Sequence, residues 1–466
     1  MSWTRRRGFS GRVVAFLFVF VAVVASRRAH AEIQRQVHAR RLTNGLQVVV
    51  CPDPGGADVS VLVRYNTGSR DEPGGLEGLA HFVEHLMFTG SKHVARGELD
   101  RLLTQAGATN MNGMTGPDLT LYQETLPPER LELALWLESD RMGYLLDRLT
   151  EEAVERERAV VLNEYRERVT DAALGDVGRI MREELFPAWH PYHHGTTGTA
   201  ASIARIELAD VRAFVNTWYG PANATVTITG KVDPAAAMAL AERYFGPLPA
   251  RDPPVRPALP ALPELKRTVL RIGAPVTRRE VRVAWLTPPL RAPGDEALDL
   301  AATILADGES SWLSKKLLKP PRVATQVTAH QSSSALASVF EIRAVVADEH
   351  SGKEVFDAID EGLARFVTAM DATDMSRAKI AWYNEKLFSL ESSLIWAFRL
   401  GSQIQVAPRL SVFDGGLGTY AAITPEQVRA AVQQHLLGKT WVITMVEPTR
   451  GAPLRGALLS RVVVPR

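Results

Sequence analysis

The chain of 466 residues contains a single cysteine, Cys51. That excludes an internal disulfide framework and any thiolate-cluster metal site, so a metal centre here must be built from histidine and carboxylate. An excess of charge of either sign is also missing. Its 54 basic residues face 52 acidic ones, a formal net charge of +2 at pH 7, which leaves no electrostatic footprint for a nucleic-acid partner. Lysine is scarce, 10 against 44 arginines, a balance that points to a GC-rich bacterial genome. Hydrophobic residues make up 46% and charged residues 23%, the ordinary soluble range, which rules out a disordered, collagen-like or polytopic membrane protein. The length exceeds what one ordinary core supports and predicts several globular domains.

The charge balance is a sum over unlike pieces. Arg5, Arg6, Arg7 and Arg12 precede an apolar run over residues 13–25, and Ala29-His30-Ala31 follows. A basic stretch, a short apolar stretch and a small-x-small site predict a secretory signal peptide over residues 1–31. The run is shorter than the roughly 20 residues that span a bilayer; the alternative is an uncleaved N-terminal anchor. The arginine cluster loosely resembles a twin-arginine signal, whereas the very apolar run favours the general secretory route, and the route stays open. Cleavage removes six arginines and no acid, taking the net charge from +2 to −4. The expected product is exported, periplasmic or secreted in a Gram-negative bacterium, with no stable membrane span.

Past the signal, residues 42–53 and 59–65 read as strands, 76–88 and 98–106 as helices, and 119–125 as a strand. Helices are predicted over 128–146 and 151–169, then a helix over 210–218, a strand over 225–229 and a helix over 234–244. Pro253, Pro254, Pro257, Pro260 and Pro263 then crowd a segment too proline-rich for helix or central strand. It reads as a stiff, extended linker, residues 251–266. The halves on either side look related. Val211-Arg212-Ala213 recurs as Val428-Arg429-Ala430, and the strand Val226-Thr227-Ile228-Thr229 is echoed by Val442-Ile443-Thr444-Met445. The expectation is an α+β fold of two homologous domains, residues 32–250 and 267–448, each a mostly antiparallel β-sheet covered by helices. Residues 449–466, rich in arginine and bearing Pro453 and Pro465, read as a poorly ordered tail.

The strongest chemical signal is His81-Phe82-Val83-Glu84-His85 inside a predicted helix. At about 100° per residue the two imidazoles and the carboxylate share one face. Two histidines one turn apart can hold one metal with a carboxylate beside them, in the order of the inverzincins. A catalytic zinc takes three protein ligands and leaves a position open. The third ligand would come from the acidic helix over 151–169, where Glu157 and Glu164 lie two turns apart. Glu151, Glu152, Glu155 and Glu167 are also present, and spacing alone does not choose among them. His190, His193 and His194 lack regular ligand spacing and read as a histidine-bearing loop. Trp312 and Trp396 read as packing residues.

This constellation resembles the M16 family of zinc peptidases (pitrilysin, insulin-degrading enzyme, mitochondrial processing peptidase). The likeness rests on His81-x-x-Glu84-His85, on Glu164 at the end of Arg156-Glu157-Arg158-Ala159-Val160-Val161-Leu162-Asn163-Glu164, and on the segment from Asn112 to Tyr122. His190-Pro191-Tyr192 and Tyr219-Gly220-Pro221 with Asn223 resemble further landmarks. The resemblance implies that His81, His85 and Glu164 are the ligands of one Zn2+ per chain. It makes Glu84 the general base and Glu157 the carboxylate behind the histidine ligands. It also implies an edge strand at Asn112, which would touch the substrate backbone. The second half carries no His-x-x-Glu-His. There the family places an Arg–Tyr pair that grips substrate; Arg322 stands at the arginine, whereas Thr325 replaces the tyrosine. The implied activity is an exported endopeptidase acting on peptides or unfolded polypeptides, working as a homodimer or as a heterodimer with a second M16 chain. The competing reading is a non-catalytic peptide-binding or scaffolding subunit of such a heterodimer. A purely structural zinc site fits poorly, since those are usually closed and cysteine-rich.

Overall fold

The computed structural model describes residues 34–404, 410–414, 416–451 and 455–464. The expected signal peptide lies outside the described residues, as do residues 452–454 and 465–466 of the expected tail.

The first half builds a six-stranded sheet from β1 (His38–Arg41), β2 (Gln47–Pro52), β3 (Val59–Tyr65), β4 (Thr109–Thr115), β5 (Thr120–Leu126) and β6 (Ala224–Gly230). Its spatial order is β1-β2-β6-β3-β5-β4, antiparallel throughout except for the β2–β6 pair. Helices of this half are α1 (Leu79–Leu86), α2 (Glu98–Gln105), α3 (Leu131–Tyr144), α4 (Glu151–Tyr165), α5 (Val177–Leu185), α6 (Ala200–Arg205), α7 (Leu208–Trp218) and α8 (Pro234–Phe245). Val59, Val61, Val63 and Tyr65 of β3 point into one core with Phe82 and Leu86 of α1 and Ala134 and Leu135 of α3.

The second half repeats the plan. Its sheet comprises β7 (Thr268–Ala274), β8 (Glu280–Thr287), β9 (Ala324–Ser332), β10 (Ser338–Val346), β11 (Val442–Pro448) and β12 (Ala457–Val463). The order β12-β7-β11-β8-β10-β9 matches the first sheet strand for strand, again with one parallel pair, β7–β11. Its helices are α9 (Asp295–Ala306), α10 (Trp312–Leu317), α11 (Gly352–Ala369), α12 (Ala372–Ser389), α13 (Ser393–Ile404), α14 (Leu417–Ala422) and α15 (Pro425–His435). Residues 251–266 between the halves carry neither helix nor strand. The expectation of a poorly ordered tail is corrected here: β12 hydrogen-bonds along β7 and takes the edge position that β1 holds in the first sheet. The arginines and prolines of that stretch masked the strand Ala457–Val463, which pairs because β7 offers an open edge, with a bulge at Leu459.

Each sheet has its outer face covered by a helix from the opposite half. α13 lies on the first sheet, where Leu394 and Ala397 pack on Leu62 and Leu121, and Trp396 packs with Val49 and Cys51. α5 lies on the second sheet, where Met181 and Leu185 meet Leu270, Ala284 and Val442, and Val177 meets Ile272 and Val446. Every residue of β3 and β6 is consequently buried. That is why Val59-Ser60-Val61-Leu62-Val63 lacks the apolar–polar alternation of a half-exposed strand.

Candidate metal centre

Helix α1 starts at Gly78, whose left-handed backbone (φ 97°) turns the chain sharply into the helix. Glu72 accepts hydrogen bonds from the backbone N–H groups of Gly78 and Ala80, at 2.9 and 2.8 Å, and so satisfies donors that the first turn leaves open. Leu79, Phe82, Val83 and Leu86 anchor α1 in the core. The remaining face presents His81, Glu84 and His85 to α4, whose N-cap Thr150 accepts from Ala153 N–H. Just past Glu164, α4 widens into a π-helical turn over Arg166–Thr170, a local distortion that recurs at functional sites.

The side chains converge. His85 Nε2 lies 3.0 Å from Glu164 Oε2, and His81 Nε2 lies 3.7 Å from Glu164 Oε1. One ligand atom from each of His81, His85 and Glu164 falls within 4.8 Å of the others. Metal–ligand distances of 2.0–2.1 Å in a tetrahedral site put ligand atoms about 3.4 Å apart, which the two measured separations bracket. The donor set, two imidazoles and one carboxylate, is one that zinc accepts. Behind the ligands, His85 Nδ1 donates to Glu157 Oε1 at 3.0 Å. His81 Nδ1, by contrast, is buried without a hydrogen-bond partner among the described residues. Glu164 Oε1 also meets Arg168 Nη1 at 2.5 Å.

Burial and neighbouring charges shift all three groups of α1. Burial, aided by the neighbouring His85, pushes His81 down to about 4. For His85, burial works in the same direction, yet the hydrogen bond to Glu157 and the charge of Glu164 hold it above its ordinary value. Burial raises the Glu84 carboxyl, against the hydrogen bond that Thr115 Oγ1 donates to its Oε2 at 2.5 Å.

These groups line a cleft of about 980 Å³ roofed by β4, the edge strand of the first sheet. Asn112 lies on β4 opposite Gln123 and borders the cleft. Gly113, next along, approaches so closely that an added Cβ would stand 2.9 Å from Glu84 Cγ and from the Phe88 ring. Thr115 and Gly113 thus fix the Glu84 carboxylate, a pair that spacing arguments missed although both lie within the segment from Asn112 to Tyr122. Arg322 is not brought to this cleft. It sits exposed in the turn before β9, its backbone N–H bonded to Lys319 O. Thr325 Oγ1 turns to Val345 O within the second sheet. The histidine loop forms no ligand cluster among the described residues: His190 stacks on Phe186 and His193 bonds Phe186 O.

Comparison with known proteins agrees with this arrangement. The insulinase (peptidase family M16) model matches residues 47–177, and the peptidase M16 inactive domain model matches residues 205–381. The zinc protease PqqE of Helicobacter pylori is 32% identical over 307 residues, 64% of this chain and 67% of that protein. An uncharacterized zinc protease of Mycobacterium leprae is 28% identical over 438 residues, 91% of this chain and 93% of that one. Among solved structures, a protease from Helicobacter pylori shares the fold with a TM-score of 0.81 at 25% identity, covering 89% of this chain and 100% of the other. With relatives named as zinc proteases along nearly its whole length, the chain belongs to the M16 family of peptidases.

Proposed function

We propose that the chain is an exported zinc metalloendopeptidase that cuts peptides or unfolded polypeptides, with His81, His85 and Glu164 holding one Zn2+. The observation that carries this reading is the convergence of those three donors with Glu84 beneath a free sheet edge. When bound, zinc supplies Lewis acidity for polarising a peptide carbonyl and acidifying water. The residues of the chain do the rest. β4 offers unpaired N–H and C=O groups on which an extended peptide lies as an added strand, with Asn112 beside its backbone. Glu84, held by Thr115, takes a proton from the attacking water on its carboxylate and returns it to the departing amine. Its raised affinity for protons, a product of burial, serves the first transfer, the uptake from water. Glu157 keeps the His85 proton on Nδ1, so that Nε2 presents its lone pair. Only a chain without fixed tertiary structure can extend along β4, which is why the substrate class is peptides and unfolded polypeptides. A homodimer, or a heterodimer with a second M16 chain, completes the proposal. Export follows from the signal-like residues 1–31.

The competing reading, a non-catalytic subunit, is tested by purifying the mature chain and comparing wild type with Glu84→Gln on a mixed peptide library. The peptidase reading expects zinc in both and cleavage by wild type alone. Zinc-loaded wild type that cleaves nothing, with a second M16 chain added or not, would leave the non-catalytic subunit as the answer.

A further inference from the structure

Among the described residues, three side chains meet the Glu164 carboxylate. Two are His81 and His85, which would share a metal with it. The third is Arg168, whose Nη1 lies 2.5 Å from Glu164 Oε1.

An arginine one turn after a glutamate is ordinarily a weak surface pair, worth about 0.3–0.5 kcal/mol. This pair differs in its surroundings. The Glu164 side chain is only 18% exposed and borders the metal cleft. Arg168 borders the same cleft, whereas the other charged side chains of its turn are engaged elsewhere. Arg166 Nη2 donates to Asn163 Oδ1 at 2.5 Å, and Asn163 Nδ2 donates to Glu167 Oε1 at 2.7 Å. The turn itself is the π-helical one over Arg166–Thr170, where Asp171 N–H reaches back to Arg166 O at 2.8 Å. The following loop packs against it so closely that a Cβ added to Gly175 would collide with Val169 O. The widened turn is thus braced from behind, and the base of the Arg168 side chain is fixed by backbone.

The chemistry says what such an arginine does. A carboxylate meets a metal through one oxygen or through both. Through both, Glu164 would crowd the position that a catalytic zinc keeps for water. A guanidinium on Oε1 engages that oxygen in a charge-assisted hydrogen bond. It leaves Oε2, which stands nearer the imidazoles: 3.0 Å from His85 Nε2, against 3.7 Å between Oε1 and His81 Nε2. We propose that Arg168 is a positioning residue, which holds Oε1 of Glu164 so that this ligand offers the metal one oxygen and the open position stays open. The proposal rests on the ligand set of the peptidase reading and adds to it the residue that sets how Glu164 binds.

The test reads the ligand directly. X-ray absorption at the zinc edge, in solution, tells a carboxylate bound through two oxygens from one bound through one, by the distance from the metal to the carboxyl carbon. Zinc-loaded mature chains of wild type, Arg168→Met and Arg166→Met are compared. The last removes a positive charge from the same turn without touching Glu164. Wild type and Arg166→Met should show Glu164 bound through one oxygen, and Arg168→Met through two. On a peptide substrate, kcat of Arg168→Met should fall about tenfold, the lower end for a lost partner of a metal ligand, while KM holds. Arg168→Lys, which keeps a cation at the same place, should recover part of kcat, and Arg166→Met should match wild type. One-oxygen binding in Arg168→Met, two-oxygen binding in wild type, or an equal change in Arg166→Met overturns the proposal. A switch in Glu164 binding with no cleavage by any of these proteins would retain the positioning role and remove the peptidase reading. Cleavage at the wild-type rate by Arg168→Met, with Glu164 on one oxygen in both, would do the reverse.

Discussion

Helices α1 and α9 begin alike, each after a glycine in the left-handed region, Gly78 at φ 97° and Gly294 at φ 103°, and each leaves the same place in the strand order to lie on its sheet. Counted from those glycines, His81, Glu84 and His85 correspond to Ala297, Leu300 and Ala301, all buried. Behind them, α4 supplies Glu157 and Glu164, whereas α12 brings Met375 and Ala378 into the second core. The same backbone therefore carries a polar, partly open cleft in one half and a closed apolar contact in the other. A scaffold that tolerates both does not need the histidines to fold, so their presence in the first half calls for a functional reason.

Substitutions at corresponding positions should exchange their effects. Glu84→Gln is expected to lower kcat/KM by about 10²–10⁴-fold, the usual contribution of a general base, while the melting temperature holds. Leu300→Ala, at the matching position, should cost about 2–5 kcal/mol of stability and leave zinc content as it was; calorimetry beside metal analysis reads both. An equal loss of stability from the two changes would break the comparison. Glu157→Gln replaces the charged acceptor for His85 Nδ1–H with a neutral amide, and zinc affinity should fall about 10–100-fold, as measured by competition with a chromogenic chelator. Against this, Asp374, a polar residue of α12 that bonds the Trp312 indole, should leave zinc affinity unchanged when replaced by Asn. The smallest effect concerns the exchanged helices. Burial pushes the Cys51 thiol up to about 11, so little thiolate exists at pH 8 and alkylation there should be slow. Trp396→Ala, which thins the α13 cover over Cys51, should speed it, and unchanged kinetics would mean that α13 does not shield the first sheet.

Local signals carried much of this structure. The strand at Val59–Tyr65 coincides with its expected bounds because β-branched residues crowd it, and α8 was marked by Pro234 at its first turn after the N-cap Asp233. The histidine pair was legible because helical spacing alone brings His81, Glu84 and His85 to one face. Spacing alone did not choose Glu164 over the other acids of α4, since that choice depends on how α4 crosses α1; the family resemblance named it. The reciprocal covering of the sheets was also hidden, because α5 and α13 have ordinary amphipathic sequences that do not say which sheet they meet. Thr115 escaped notice for a similar reason: its partner Glu84 lies on another element, and only the register of β4 against β5 brings them together. Arg322 illustrates the reverse case, a residue marked by resemblance that the fold leaves exposed and away from the cleft.

The central claim is that a single metal centre, in the first half, distinguishes the two copies. Zinc counted per chain by native mass spectrometry tests it most directly. The account predicts one zinc for wild type, one for Leu300→Ala, and little or none for Glu164→Gln under the same conditions. Two zinc ions per chain, or one that persists in Glu164→Gln, would contradict it.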